Sequence, residues 1–236
     1  MEYYLRSDIG TKRDKNEDYV LYHERSGIFI IADGMGGHKA GEIASKMAAR
    51  EFIVKIESVD AAKPADLISA FDAANTAVYN ASVAHEAYQG MGTTLTAAMI
   101  EGNSVYLVHV GDTRAYKVNP QGLTQITRDH TLISEMYRKG SLTLEEMKDH
   151  PQKHLLTKAL GTKANCEPDV FQESFGENDF LVMTSDGLTD LVDDLEIKRM
   201  VLDLKYPKAI VESAIQLANS RGGKDNISMI CIKFQD

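Results

Sequence analysis

Aspartates recur in this chain at one kind of place, where an apolar run meets a turn residue. Asp33-Gly34 follows the run 28–32, Asp186-Gly187 follows the run 180–184, and Asp112 follows Val108-His109-Val110-Gly111. Asp225-Asn226 precedes the last apolar run, and Asp18, beside Glu17, opens the second. A carboxylate in apolar surroundings is costly unless it is paired or bound to a cation, and several that converge raise each other's pKa. Divalent ions relieve both problems, and hard Mg2+ or Mn2+ prefers such oxygen donors. No His-x-His, His-x-x-x-His or Cys-x-x-Cys spacing pairs with these acids, which disfavours zinc. Taken singly, each aspartate reads as a turn residue, because Asp before Gly is a common turn dipeptide. Only their joint occurrence speaks for a metal centre.

The elements that must bring these residues together can be read from periodicity. Strands are predicted over 2–9, 19–23 and 28–32, and amphipathic helices over 41–56 and 64–87, the second with Pro64 in its first turn. Short strands follow over 94–100, 104–110, 114–119 and 123–127, with Gly- and Asn-bearing turns between them, as in an antiparallel meander. The polar stretch 131–160 contains Gly140 and Pro151 and reads as an inserted helical excursion. A strand over 180–184, a helix over 207–219 and a strand over 227–234 close the chain. Strands and helices do not alternate one for one. That predicts an α+β fold of antiparallel sheets covered by helices, not a doubly wound parallel sheet.

The 236 residues suit one domain with a real core. The net charge of −9 disfavours nucleic acid and anionic membranes as general partners. No run approaches the roughly 20 apolar residues of a membrane span, and the N-terminus shows no basic-then-apolar leader. Cys166 and Cys231 cannot make a disulfide framework, and Cys231, inside Ile230-Cys231-Ile232, reads as a small buried hydrophobe. A cytoplasmic location is expected.

Ser7-Asp8-Ile9-Gly10, Arg13 and Asn16-Glu17-Asp18 resemble the first motif of the PPM-type (type-2C) metal-dependent Ser/Thr protein phosphatases. Ala32-Asp33-Gly34-Met35-Gly36-Gly37-His38, Met91-Gly92-Thr93-Thr94, Val110-Gly111-Asp112-Thr113-Arg114, Arg128-Asp129-His130, Ala159-Leu160-Gly161, Thr184-Ser185-Asp186-Gly187 and Asp225-Asn226-Ile227 follow in that family's order. The likeness spans the chain, and its compact length is similar to the bacterial branch. The resemblance implies a four-layer α/β/β/α sandwich, with residues 1–236 as a single catalytic domain and a flap at about 131–161. It implies two Mn2+ or Mg2+ ions. Asp33 would bridge them, the Gly34 carbonyl would bind one, and Asp186 and Asp225 the other. Asp18 and Glu17 would complete the cluster directly or through water. Neighbouring strand residues face opposite ways, so both are not expected to bind directly. Asp112, with Asp186, matches a third, weaker metal position. The resemblance also implies hydrolysis of phosphoserine and phosphothreonine in one step by a metal-activated water, with no phospho-enzyme. Arg13 would clamp the phosphate, although the same Arg alone, beside Lys12 and Lys15, reads as a surface charge. His38 stands three residues later than the His that directly follows Asp-Gly in many animal members. It is read equally as a proton donor and as a surface His.

Other features are weighed against chemistry. The loop 34–41 fails as a Walker motif, because Glu42 stands where Lys should follow the last Gly. His150 and His154 are separated by Pro151 and read as solvated. Arg138, Lys139, Lys148 and Lys153 of the excursion either guide a phosphoprotein or form a solvated helix face. The expected partners are phosphorylated proteins, among them a Ser/Thr kinase and its substrates, and the chain is expected to be a monomer. A non-catalytic phosphoprotein-binding module of the same fold is the alternative, disfavoured because every matched acidic position is filled. A metal-dependent nuclease is disfavoured by the charge.

Overall fold

A strand that is apolar on both faces needs cover on both faces. The runs 28–32 and 227–232 are of this kind, and they become the centres of two sheets. The computed structural model describes residues 1–36, 40–148 and 150–235, without the side chain of Lys148. The elements run β1 (Glu2–Asp8), β2 (Asp18–His23), β3 (Ile28–Met35), α1 (Gly41–Glu57), α2 (Asp66–Ala84), β4 (Gly92–Thr93), β5 (Leu95–Glu101), β6 (Ser104–Val110), β7 (Arg114–Asn119) and β8 (Gly122–Gln125). They continue with α3 (Leu132–Arg138), α4 (Leu144–Lys148), β9 (Asp169–Ser174), β10 (Phe180–Thr184), α5 (Asp186–Thr189), α6 (Asp194–Leu204), α7 (Pro207–Ser220) and β11 (Ile227–Lys233).

One sheet has the order β1-β11-β10-β7-β8 and the other β2-β3-β5-β6-β9, with the short β4 also paired to β3. All named strand pairs are antiparallel. Alternation along each strand assigns its side chains to layers. In β3, Ile28 and Ile30 pack under α1 and α2 with Ala48, Phe52, Phe71 and Val78. Phe29 and Ile31 point the other way, onto Leu181, Met183, Ile230 and Ile232 of the opposing sheet. The outer face of that sheet carries Val182, Met229 and Cys231 against Ile197, Val201, Ile210 and Ala214 of α6 and α7. The result is the α/β/β/α sandwich. Cys231 is a fully buried apolar contact, as its neighbours suggested.

The differences from the sequence reading have identifiable causes. The third strand does not stop at Ala32 but runs on to Met35. Thr93 and Gly92 supply a partner strand for Gly34 and Met35, so the Asp-Gly pair stays in a ladder and does not turn. The second long helix starts at Asp66, not at Pro64, whose carbonyl accepts the Leu67 N–H at 3.2 Å. Within 131–160 only α3 and α4 are helical. Gly140, at φ 74°, lies between them, and the chain from 150 to 161, which includes Pro151, is irregular. Four elements were not foreseen: the very short β4 and α5, and the longer β9 and α6. Strand β9 is an edge strand with exposed residues on one face, so its apolar signal is thin. Helix α6 carries a capping box, Asp193 with Glu196, that marked its start in the sequence. No helix of the described residues is long and apolar enough to cross a membrane.

Candidate metal centre

The start of β2, the latter half of β3, the first residue of α5, the loop after β6 and the loop before β11 bring Asp18, Asp33, Asp186, Asp112 and Asp225 to one edge of the sandwich. Asp18 and Asp33 are direct cross-strand partners. Asp33 is held from its backbone. Its N–H donates to Thr94 Oγ1 at 2.9 Å, and its carbonyl accepts from the Thr94 N–H at 2.8 Å and the Thr93 hydroxyl at 2.9 Å. The Asp33 carboxyl is left free of these ties. Burial, and then the charges of Asp18, Asp186, Asp112 and Asp225, push it well above the usual carboxylate range.

Asp18 is 7% exposed. Its Oδ2 accepts from the Ser185 hydroxyl at 2.7 Å, while Oδ1 is buried with no hydrogen-bond partner. Burial pushes Asp18 up to about 7, opposed by the nearby Ser228 and Ser185 hydroxyls and with help from Asp186 and Asp225. An orphaned carboxylate oxygen among other carboxylates is unfavourable for a folded chain on its own and fits a cation. Burial and the neighbouring charges of Asp186 and Asp129 likewise raise Asp112 well above its ordinary value. The all-oxygen donor set suits Mg2+ or Mn2+.

Glu17 lies beside the cluster, near Arg13 and Asp225. Its N–H donates to Asn226 Oδ1 at 2.8 Å and its carbonyl accepts from the Ser45 hydroxyl and the Gly34 N–H. Its carboxyl, raised by burial and opposed by Arg13, lies against Gly41. Arg13 reaches the cluster through Nη2, 2.6 Å from Asp225 Oδ2, and is half-exposed. His38 lies outside the described residues.

Two glycines make the edge compact. A Cβ on Gly34 would collide with the Gly41 carbonyl and lie 2.8 Å from the Glu17 carbonyl, and one on Gly187 would collide with the Asn226 carbonyl. Gly34→Ala is therefore expected to destabilise the chain by about 1–3 kcal/mol, because neither backbone can retreat without opening the β3–α1 junction. Thermal unfolding checks this, with a drop of roughly 2–4 °C per kcal/mol at this size.

The sequence reading gave three histidines no role at the site: His154, read as solvated, and His109 and His130. Among the described residues, the one trio of His, Cys, Asp or Glu donor atoms all within 4.8 Å of one another is His154, Asp186 and Asp190. His154, expected to be solvated, is half-exposed, but its ring faces Asp186 at 3.5 Å and Asp190 at 3.6 Å. The five aspartates are spread more widely than one ion's shell. Lys153 also reaches Asp190, at 3.2 Å, while Lys139 pairs with Glu135. His109 and His130 are buried behind Asp112, and burial holds His109 down to about 4. The signal for His130 was its place beside Asp129; nothing local marked His154.

In sequence and fold the chain is similar to known phosphatases. A sequence model of the family described as Protein phosphatase 2C matches residues 11–219. Protein phosphatase PhpP of Streptococcus pneumoniae is 35% identical over 100% of this chain and 98% of its own. Serine/threonine phosphatase Stp1 from Staphylococcus aureus superposes with a TM-score of 0.93 at 35% identity, covering 100% of this chain and 95% of that one. The catalytic domain of serine threonine protein phosphatase PstP, solved in complex with 2 manganese ions, superposes with a TM-score of 0.89 at 33% identity, covering 100% and 98%.

Proposed function

The chain belongs to the protein phosphatase 2C family, and from that premise we propose which of its own residues carry the reaction. It is a metal-dependent Ser/Thr phosphoprotein phosphatase. In our reading Asp33, the Gly34 carbonyl, Asp186 and Asp225 hold two divalent ions, with Asp18 completing the site and Glu17 acting through water. Asp112 and Asp186 hold a third ion more weakly. Manganese is supported by the two ions of the PstP structure. Such ions, when bound, supply water activation near neutral pH and counter-charge for the phosphate in a one-step hydrolysis. The observation that carries the reading is the orphaned, buried Oδ1 of Asp18 among carboxyls raised by burial and by neighbouring carboxylates.

Arg13 is assigned to the substrate. Its guanidinium is tied to Asp225 and faces Glu17 and Asp33, so it stands at the rim where a phosphate would enter. A planar fork can grip two phosphate oxygens, which an ammonium cannot. Arg13→Ala is expected to lower kcat/KM for a phosphothreonine peptide by roughly 10- to 100-fold, most of it in KM. Arg13→Lys should recover only part of this, and steady-state kinetics on the two variants decide it.

The segment 131–161 is read as a flap that receives the phosphoprotein, with Lys153 and His154 contacting Asp190 and Asp186. A Ser/Thr kinase and its substrates are the expected targets, and the chain is expected to act as a monomer in the cytoplasm. The function is tested by phosphate release from phosphoserine, phosphothreonine and phosphotyrosine peptides with Mn2+, with and without chelator. Release from the first two that stops on chelation supports it. Chelator-resistant release contradicts it.

A further inference from the structure

Behind Asp112 lies a buried polar group that the reaction as described does not use. Gly111, at φ 107°, precedes Asp112, and a Cβ there would collide with Thr94. Both polar groups of the Gly111 backbone are taken by one residue. The Gly111 N–H donates to His130 Nδ1 at 3.1 Å, and the His130 N–H donates to the Gly111 carbonyl at 2.8 Å. Because Nδ1 accepts, the neutral ring carries its proton on Nε2. That nitrogen faces Asp169 Oδ2 at 3.3 Å on β9. The other oxygen of Asp169 faces Lys158 Nζ at 3.4 Å, at the end of the flap. The flap also returns through backbone contacts to the same place: the Thr157 N–H donates to the His130 carbonyl at 2.8 Å, and Thr131 bridges Leu156. His109, whose ring lies 5.1 Å from that of His130, is separately satisfied by Thr96 Oγ1 and the Arg128 carbonyl.

We propose that His130 is a positioning residue: it clamps Gly111 so that the Asp112 carboxylate points at the weak third cation position, and through Asp169 it ties that turn to the flap. The inference rests on the reading of Asp112 given above. His130 itself is 6% exposed. Its effect passes through one peptide N–H. Outer partners of this sort set the direction of a ligand, and their loss typically lowers affinity or activity about 10- to 100-fold.

Two substitutions separate positioning from mere packing. His130→Asn places a carbonyl oxygen near the Nδ1 position and keeps an acceptor for Gly111. His130→Gln reaches toward Asp169 but withdraws that acceptor. In the metal-free protein, the Gly111 amide is expected to exchange with solvent as slowly in His130→Asn as in the parent, and much faster in His130→Gln. With Mn2+ and a phosphothreonine peptide, His130→Gln should lose about 10- to 100-fold in kcat with KM little changed, while His130→Asn recovers most of the rate. Calorimetry should show both tight Mn2+ sites intact in each variant. Equal losses in the two variants, or a Gly111 amide still protected in His130→Gln, overturns the proposal. Asp112→Ala serves as the reference. Full turnover in Asp112→Ala overturns the underlying reading of Asp112, whereas loss there with parental turnover in His130→Gln overturns the role of His130 alone.

Discussion

Asp33→Asn should lower turnover of a phosphothreonine peptide by on the order of 10³-fold, which is about 4 kcal/mol of transition-state stabilisation. The size of the effect follows from the position. The Asp33 carboxyl is buried and lies within the field of Asp18, Asp186, Asp112 and Asp225, and its backbone ties leave that carboxyl free to bind. An amide keeps the shape but supplies no negative charge, so it cannot hold two cations together. The same change has the opposite effect on the metal-free chain. Removing one charge from a desolvated, like-charged group lessens repulsion, so the variant without metal should unfold at the parent's temperature or above it. Loss of turnover with undiminished metal-free stability identifies a functional charge. An Asn variant that retains the parental rate would show that the chemistry lies elsewhere. An Asn variant that unfolds early would show that Asp33 is structural.

Antiparallel sheets covered by helices were legible in the order of the elements, and so was the place of each aspartate at the edge of an apolar run, whereas the four-layer sandwich and the metal-ligand set came from the resemblance of the motifs to a known family. What was not legible depends on tertiary return. His154 gains its place only because the irregular chain after α4 folds back over α5. His130 gains its place because two loops 19 residues apart share hydrogen bonds. No local pattern encodes either contact. The extension of β3 through Asp33-Gly34 was hidden because the dipeptide is a strong turn signal in isolation, and only the pairing with β4 overrides it. Helix α6 is a different case: its capping box was present in the sequence and simply precedes a short amphipathic run.

Removing metal should expose the cost of the carboxyl cluster, and the cost should grow with pH. In the metal-free chain Asp18 titrates near 7 in place of its ordinary 3.8. A carboxyl whose folded-state pKa is raised contributes stability that is fully present below pH 3.8 and is lost as pH rises through about 7. Asp33 and Asp112 shift in the same direction. The chelated protein is therefore expected to unfold at progressively lower temperature between pH 5.5 and pH 8. Cation binding runs the other way, since the ligands must be deprotonated and protons compete with the ion. At an Mn2+ concentration about 1,000 times Kd, binding adds about 4 kcal/mol, or roughly 8–16 °C in a chain of this size. The gap in Tm between Mn2+ and chelator should thus widen from pH 5.5 to pH 8, and Asp18→Asn should flatten the slope of the chelated curve. Differential scanning calorimetry at both pH values decides the matter. A gap that stays constant or narrows would mean that these carboxyls are not the cation's ligands, whatever their proximity.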